Sequence, residues 1–346
     1  MNKTRIALVA IVTGIALVVV SAASATYSSA KLAVTYGPGN TTRIIASSAA
    51  GDDATARATI IVSKGTAVSA SAAPGTTVGT VKAQVAALAL GGALLPLSGD
   101  IIVAAPGQVP AASQTACIGA ATPTTTYVFV LAAAGQTINL PAYLLPADAT
   151  TSAFGDAQLV FCLAPPDIPV DKGGATFGAK FLSADMTFNG VFGALPTALW
   201  MGFWTPWTPA IGQVNQSATV ASPSTYSTSA VSLKGKRVKG RVTLTGKVLV
   251  DGDGIDIGVR IWGAGPKGAL KPMKSVLPKE NGTFSVSFPP AAKQTRFQAR
   301  FGATALTLGS SDAASFCTDV FSSLPVPCSS VSIAISGSQS KVVTVK

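Results

Sequence analysis

The chain has 346 residues and a formal net charge of +11, yet only 11% of its residues are charged and none is histidine. Without an imidazole there is no Ser-His-Asp or Cys-His nucleophile system and no zinc site of the hydrolase type. Glu280 is the single glutamate. Exposed helix faces draw on Glu, Lys, Leu, Gln and Arg, so a chain rich in Ala, Gly, Ser, Thr, Val and Pro reads as many short strands.

The first segment combines Lys3 and Arg5, an apolar run over residues 6–20, and the small-residue exit Ala23-Ser24-Ala25. That order predicts a cleavable secretory signal over residues 1–25 and a mature start at Thr26, with an uncleaved membrane anchor as the alternative. The apolar run is shorter than the ~20 residues that cross a bilayer. No transmembrane span is therefore expected after signal cleavage, and the protein is expected to be secreted or held at the cell surface.

Residues 26–216 hold strand-like runs at 31–36, 58–62, 76–85, 100–104, 126–132, 137–144, 159–163, 177–189 and 199–203, with turn residues between most of them. Short runs at this spacing predict a β-sandwich domain. The apolar stretch 83–97, with Gly91-Gly92 inside it, reads as two buried strands around a turn. Seven Lys/Arg and eight Asp balance in this part. Residues 217–230 are small and polar and read as a linker. Residues 231–346 carry sixteen Lys/Arg and six acids. There the runs at 241–250, 256–262, 283–288, 296–301, 331–335 and 341–345 approach the seven strands of an immunoglobulin-like sandwich. The expected fold is all-β: two β-sandwich domains, the second immunoglobulin-like.

Four cysteines, Cys117, Cys162, Cys317 and Cys328, allow three pairings. Two fall in each half of the chain, so Cys117–Cys162 and Cys317–Cys328 are expected, as suits an oxidising compartment. With no histidine and no closely spaced cysteine pair, no metal site is expected.

The residues Gly246, Gly254, Val259-Arg260-Ile261-Trp262, Asn281-Gly282-Thr283-Phe284 and Thr295-Arg296-Phe297-Gln298-Ala299 resemble bacterial extracellular modules of the immunoglobulin-like or carboxypeptidase-regulatory-like kind. Those modules show a Gly-marked hairpin, a G-x-F strand and a T-x-F-x-A strand. In the first half, the segment from Gly178-Ala179-Lys180-Phe181 through Phe203-Trp204-Thr205-Pro206-Trp207-Thr208-Pro209 resembles a segment of uncharacterised secreted β-rich proteins of high-GC Gram-positive bacteria. Cys162-Leu163-Ala164-Pro165-Pro166-Asp167 upstream fits the same group. The resemblance implies an exported β-rich protein and brings no catalytic residue with it.

No phosphate loop and no G-x-G-x-x-G opening a helix is present, so no nucleotide cofactor is expected. Asp52, Asp53, Asp156, Asp167 and Asp171 are the acids that an Asp-dependent glycosidase could use. Asp251, Asp253 and Asp256 offer oxygen ligands, but Trp262 stands where an EF-hand has its closing Glu. A hairpin turn made with Asp-Gly is the simpler reading. Trp200, Trp204 and Trp207, beside Phe203, would suit stacking on sugar rings in a carbohydrate-binding protein, while capping the sandwich core or wedging against the linker is the plainer reading. Lys234, Lys236, Arg237, Lys239 and Arg241 form a basic run that would attract an anionic cell-wall polymer. The plainer explanation is the solvated face of an edge strand. No motif for specific nucleic-acid recognition accompanies it. The leading expectation is a non-enzymatic secreted or cell-surface protein for adhesion or envelope binding, with no cofactor. A carbohydrate-binding protein and an Asp-dependent glycosidase are the alternatives.

Overall fold

The computed structural model describes residues 27–133, 135–289, 294–321 and 324–345. The expected signal, residues 1–25, lies outside them. The chain begins with β1 (Lys31–Gly37), β2 (Thr41–Ser47), β3 (Thr55–Ser63), β4 (Thr77–Ala87) and β5 (Ala93–Val103). Helix α1 (Ala111–Ile118) follows, then β6 (Thr125–Ala133), β7 (Gln136–Pro146), β8 (Gly155–Cys162), β9 (Ala179–Asn189), β10 (Thr197–Thr208), β11 (Gln213–Val214) and β12 (Val220–Ser227). Next come β13 (Ser229–Val238), β14 (Arg241–Val250), β15 (Asp253–Gly254), β16 (Val259–Ala264), β17 (Lys271–Val276), β18 (Thr283–Phe288) and β19 (Arg296–Phe301). The last elements are β20 (Thr304–Leu308), helix α2 (Ser310–Val320), β21 (Val331–Ile335), β22 (Ser338–Gln339) and β23 (Val343–Thr344). The β-rich class expected from composition is the class observed.

Among the described residues one sheet holds fourteen strands in the order β1-β2-β9-β4-β5-β6-β7-β8-β3-β10-β12-β21-β20, with β11 added beside β10. Strict alternation builds its inner face. Tyr127, Phe129 and Leu131 point inward from β6, and Ala157, Leu159 and Phe161 from β8. A slip of one residue would turn each of these sets to the other side, so the pattern fixes the register. The sheet curls until β1 lies against β10 and β12. There the Val34 amide donates to Ser224 Oγ at 2.9 Å. Gly202 is the residue that permits this approach, since a Cβ on it would sit 3.3 Å from the Leu32 Cβ.

Part of the outer face is apolar too, and the two helices cover it. Ile61 and Met201 pack on Ala313 and Cys317 of α2. Tyr143, Leu145 and Val160 pack with Cys117 of α1. Strands buried on both faces explain the near-continuous apolar runs of β8 and β10.

The remaining strands form two smaller sheets. One contains β13, β14, β15 and β18, and the other β17, β16, β19, β22 and β23. They share a separate core that includes Leu233, Leu244, Val248, Ile261, Phe284 and Phe297.

Four expectations are corrected. The stretch 217–230 is not a free linker, because its residues 220–227 are β12, antiparallel to β10 and parallel to β21. Small residues suit it to this place, since Ser222 and Ser224 are fully buried under β1. Residues 231–346 do not stay together, because β20 and β21 join the first sheet through β12. Two helices, α1 and α2, add to a chain expected to be all-β. The 83–97 stretch is two strands around Gly91-Gly92, but its tip is not buried: Leu88, Leu90 and Leu94 are exposed.

Candidate functional site

Both disulfides pair as expected, Cys117–Cys162 and Cys317–Cys328. The first ties α1 to the end of β8. The second ties α2 to the segment that leads into β21. Each bridge therefore holds a helix on the outer face of the curled sheet.

The tryptophans form no exposed platform. Trp200 and Trp204 are fully buried on the inner face of β10. The Trp200 indole donates to the Tyr36 hydroxyl at 2.9 Å, and the Trp204 indole to Ser222 Oγ at 2.6 Å. Trp207 is half-buried and donates to the Leu163 carbonyl at 3.1 Å. The period of two along a strand turns residues 204 and 207 to opposite faces, so the three rings cannot present one surface to a sugar.

Three of the candidate acids, Asp52, Asp156 and Asp167, accept backbone amides from loops and turns. The Asp52 carboxylate is buried and accepts from the Ser28 amide at 2.7 Å and the Ser28 hydroxyl at 2.6 Å. Asp156 accepts from the Gly65 amide at 2.8 Å, and Asp167 from the Ala210 amide. Asp171 is exposed in a short 3-10 turn at residues 170–172. Burial draws Lys180 below the ordinary lysine range, and its ammonium donates to the Ala50 and Asp52 carbonyls. Asp251, with φ 51°, and Gly252, with φ 92°, make the tight turn from β14 to β15. Asp251 also accepts from the Thr197 hydroxyl at 2.7 Å. Among the described residues no group of three or more His, Cys, Asp and Glu side chains converges on a metal position.

The basic run occupies the β13–β14 hairpin, and β13 is an edge strand. Lys239, with φ 49°, and Gly240, with φ 77°, form its two-residue turn between the paired Val238 and Arg241. Both φ values are positive, as a type I′ turn requires. Leu233 points into the core, so its neighbour Lys234 points out, as does Lys236. Arg237 is different: its guanidinium donates to the Gly240 carbonyl at 3.0 Å and the Gln294 carbonyl at 3.2 Å, which clamps the turn.

The register completes a surface that sequence alone did not assemble. Lys234 faces Thr245, Lys236 faces Thr243, and Lys247 lies between Ser232 and Thr283. Lys234, Lys236, Arg241 and Lys247 are all exposed, and among the described residues no carboxylate pairs with them. Lys279 joins Lys234 around a shallow depression lined also by Ser232, Thr245, Thr283 and Ser285. On the five-stranded sheet, Arg260 pairs directly with Arg300, whose guanidinium lies 4.1 Å above the Trp262 ring.

No family model matches this sequence, and no curated protein does.

A second feature lies inside the curled sheet: a cavity of about 340 Å³, with no charged side chain among the described residues of its wall. It arises where small residues meet at one level. Ala184 of β9 pairs with Ala46 of β2 on one side and Ala83 of β4 on the other. The opposite end is filled instead, with Phe192 5.1 Å from Phe188 and 5.4 Å from Trp200, centroid to centroid. Trp204 is the tryptophan that lines the cavity. No sequence motif marked this site.

Proposed function

We propose that this is a non-enzymatic extracellular protein of the cell envelope, and that its β13–β14–β18 face contacts an anionic wall polymer. In this reading β13–β19 with β22 and β23 form an immunoglobulin-like module, and the curled sheet is a second domain that the module tethers. The observation that carries it is the row of Lys234, Lys236, Arg241 and Lys247 among Ser and Thr, with no opposing acid among the described residues. Hydroxyls and ammonium groups on a flat sheet suit repeated phosphate or carboxylate groups. Unpaired surface cations gain most from a dense anion and lose it to salt.

Sedimentation of the protein with purified wall material over a salt series tests the reading. Binding should fall steeply between 50 and 500 mM salt. The Lys234→Ser, Lys236→Ser, Arg241→Ser, Lys247→Ser variant should lose it and keep its thermal midpoint. Arg237 is left intact because it clamps the turn. Salt-independent binding, or binding kept by the variant, would remove the basic face from the function.

A further inference from the structure

We propose that the cavity of the curled sheet binds a single fatty acyl chain. Volume, wall chemistry, shape and the neighbouring exposed aliphatics all point to it, independently of the basic face. The volume of about 340 Å³ falls within the range of small-molecule sites, about 300–1,000 Å³. Apolar cavities of even smaller size stay dry and take up apolar molecules. The walls here include Ile60, Leu131, Phe161, Phe181, Met186 and Trp204, while Thr55, Asn139 and Thr176 are the side chains able to meet a polar end.

Shape favours a chain over a flat ring. The lining follows Val81, Ala83 and Val85 along β4, about 13 Å at the rise of a strand. The space between these walls exists because Ala46, Ala184 and Ala83 stand side by side across three strands. Larger residues at that level would close the core as Phe188, Phe192 and Trp200 close the other end.

The entrance is apolar as well. Gly174, Ala175 and Thr176 line the cavity, and the next residues touch the tip of the β4–β5 hairpin. A Cβ on Gly178 would lie 3.3 Å from both the Ala89 nitrogen and the Leu88 Cβ. That tip exposes Leu90 and Leu94 at 54% and 58%, and Val170 before the same loop is 61% exposed. These exposed aliphatic side chains stand on segments next to the lining loop, and in this proposal the chain enters on that side.

The test titrates the full mature chain with cis-parinaric acid and, separately, with a phosphatidylcholine carrying a parinaroyl chain. A saturable one-to-one fluorescence rise is expected. Response to the free acid alone assigns the site to free fatty acids, and response to both assigns it to lipid acyl chains. Ala184→Leu and Ala83→Leu each place a branched side chain in the cavity. Each should weaken the probe at least tenfold while the thermal midpoint stays level or rises. Ala46→Val, a smaller filling, should weaken it less and serves as the measure if a leucine variant unfolds. No saturable signal from either probe, or undiminished binding by a folded filling variant, would overturn the proposal.

Discussion

The curled sheet and the C-terminal pair of sheets solve different problems with one alphabet. The curled sheet is built around large aromatic side chains and holds both disulfides and both helices. The C-terminal pair has a smaller core and no disulfide among its described residues. Charge follows this division more closely than it follows chain order. Residues 302–337, which supply β20, α2 and β21 to the curled sheet, contain Asp312 and Asp319 but no Lys or Arg. All sixteen cations of the C-terminal part therefore lie in sequence with the smaller sheets, against four acids. The curled sheet keeps its charges few and uses several of them in internal contacts, such as Asp52 and Asp167 in turns and the Arg43–Asp185 pair across β2 and β9. The smaller sheets leave Lys234, Lys236, Arg241 and Lys247 exposed.

The sharpest way to break this comparison is to damage one core and watch the other. Trp200→Ala removes a fully buried ring and the donor to Tyr36. Such truncations cost roughly 3–5 kcal/mol. Hydrogen exchange should show lost protection over residues 31–208 and unchanged protection over 241–301. Equal loss in both would mean that the two regions unfold as one cooperative unit, joined through β12 and β21.

Removing the bridges ranks next. Cys117–Cys162 closes a separation of 45 residues and Cys317–Cys328 one of 11. In the chain-entropy model these contribute about 4 and about 3 kcal/mol. Urea denaturation of the paired Cys→Ser variants should reproduce that order, with the larger loss at α1. A reversed order would mean that covering Ile61 and Met201 by α2 matters more than the length of the loop.

Legibility in the sequence divides along physical lines. Strand β14 was readable because apolar residues alternate along most of it, and β6 because residues 127–131 form a continuous aromatic and branched run. Strand β12 was not, because its inward positions include Ser222 and Ser224, whose fitness for burial depends on Trp204 and Val34 donating to them. Helix α2 did carry a signal, Ala313, Phe316, Cys317 and Val320 at helical spacing, but the surrounding absence of Glu and Lys outweighed it. The basic run was visible as a run, whereas Lys247 joins it only through hairpin register. The cavity was invisible, since an alanine announces only that it is small. That Ala46, Ala83 and Ala184 share one level is a property of how β2, β9 and β4 pair.

The smallest expected effect tests how the curled sheet uses its charges. Arg43 on β2 donates to both carboxylate oxygens of Asp185 on β9, Nε at 2.8 Å and a terminal nitrogen at 2.6 Å. The guanidinium holds the Asp185 carboxyl below its ordinary range, with lesser help from Lys82. A folded-state value below the unfolded one means that the unfolded chain takes up the proton first. The stabilisation is therefore present above about pH 4 and is lost as pH falls through the folded value. Both groups are about a third or more exposed, so solvent screening keeps the contribution at or below about 1 kcal/mol. Thermal midpoints of the native protein and Arg43→Gln should differ slightly at pH 6 and converge by pH 2. High salt should shrink the difference at pH 6. A gap that persists at pH 2 would mean that Arg43 acts by packing its stem on the sheet and not by pairing its charge.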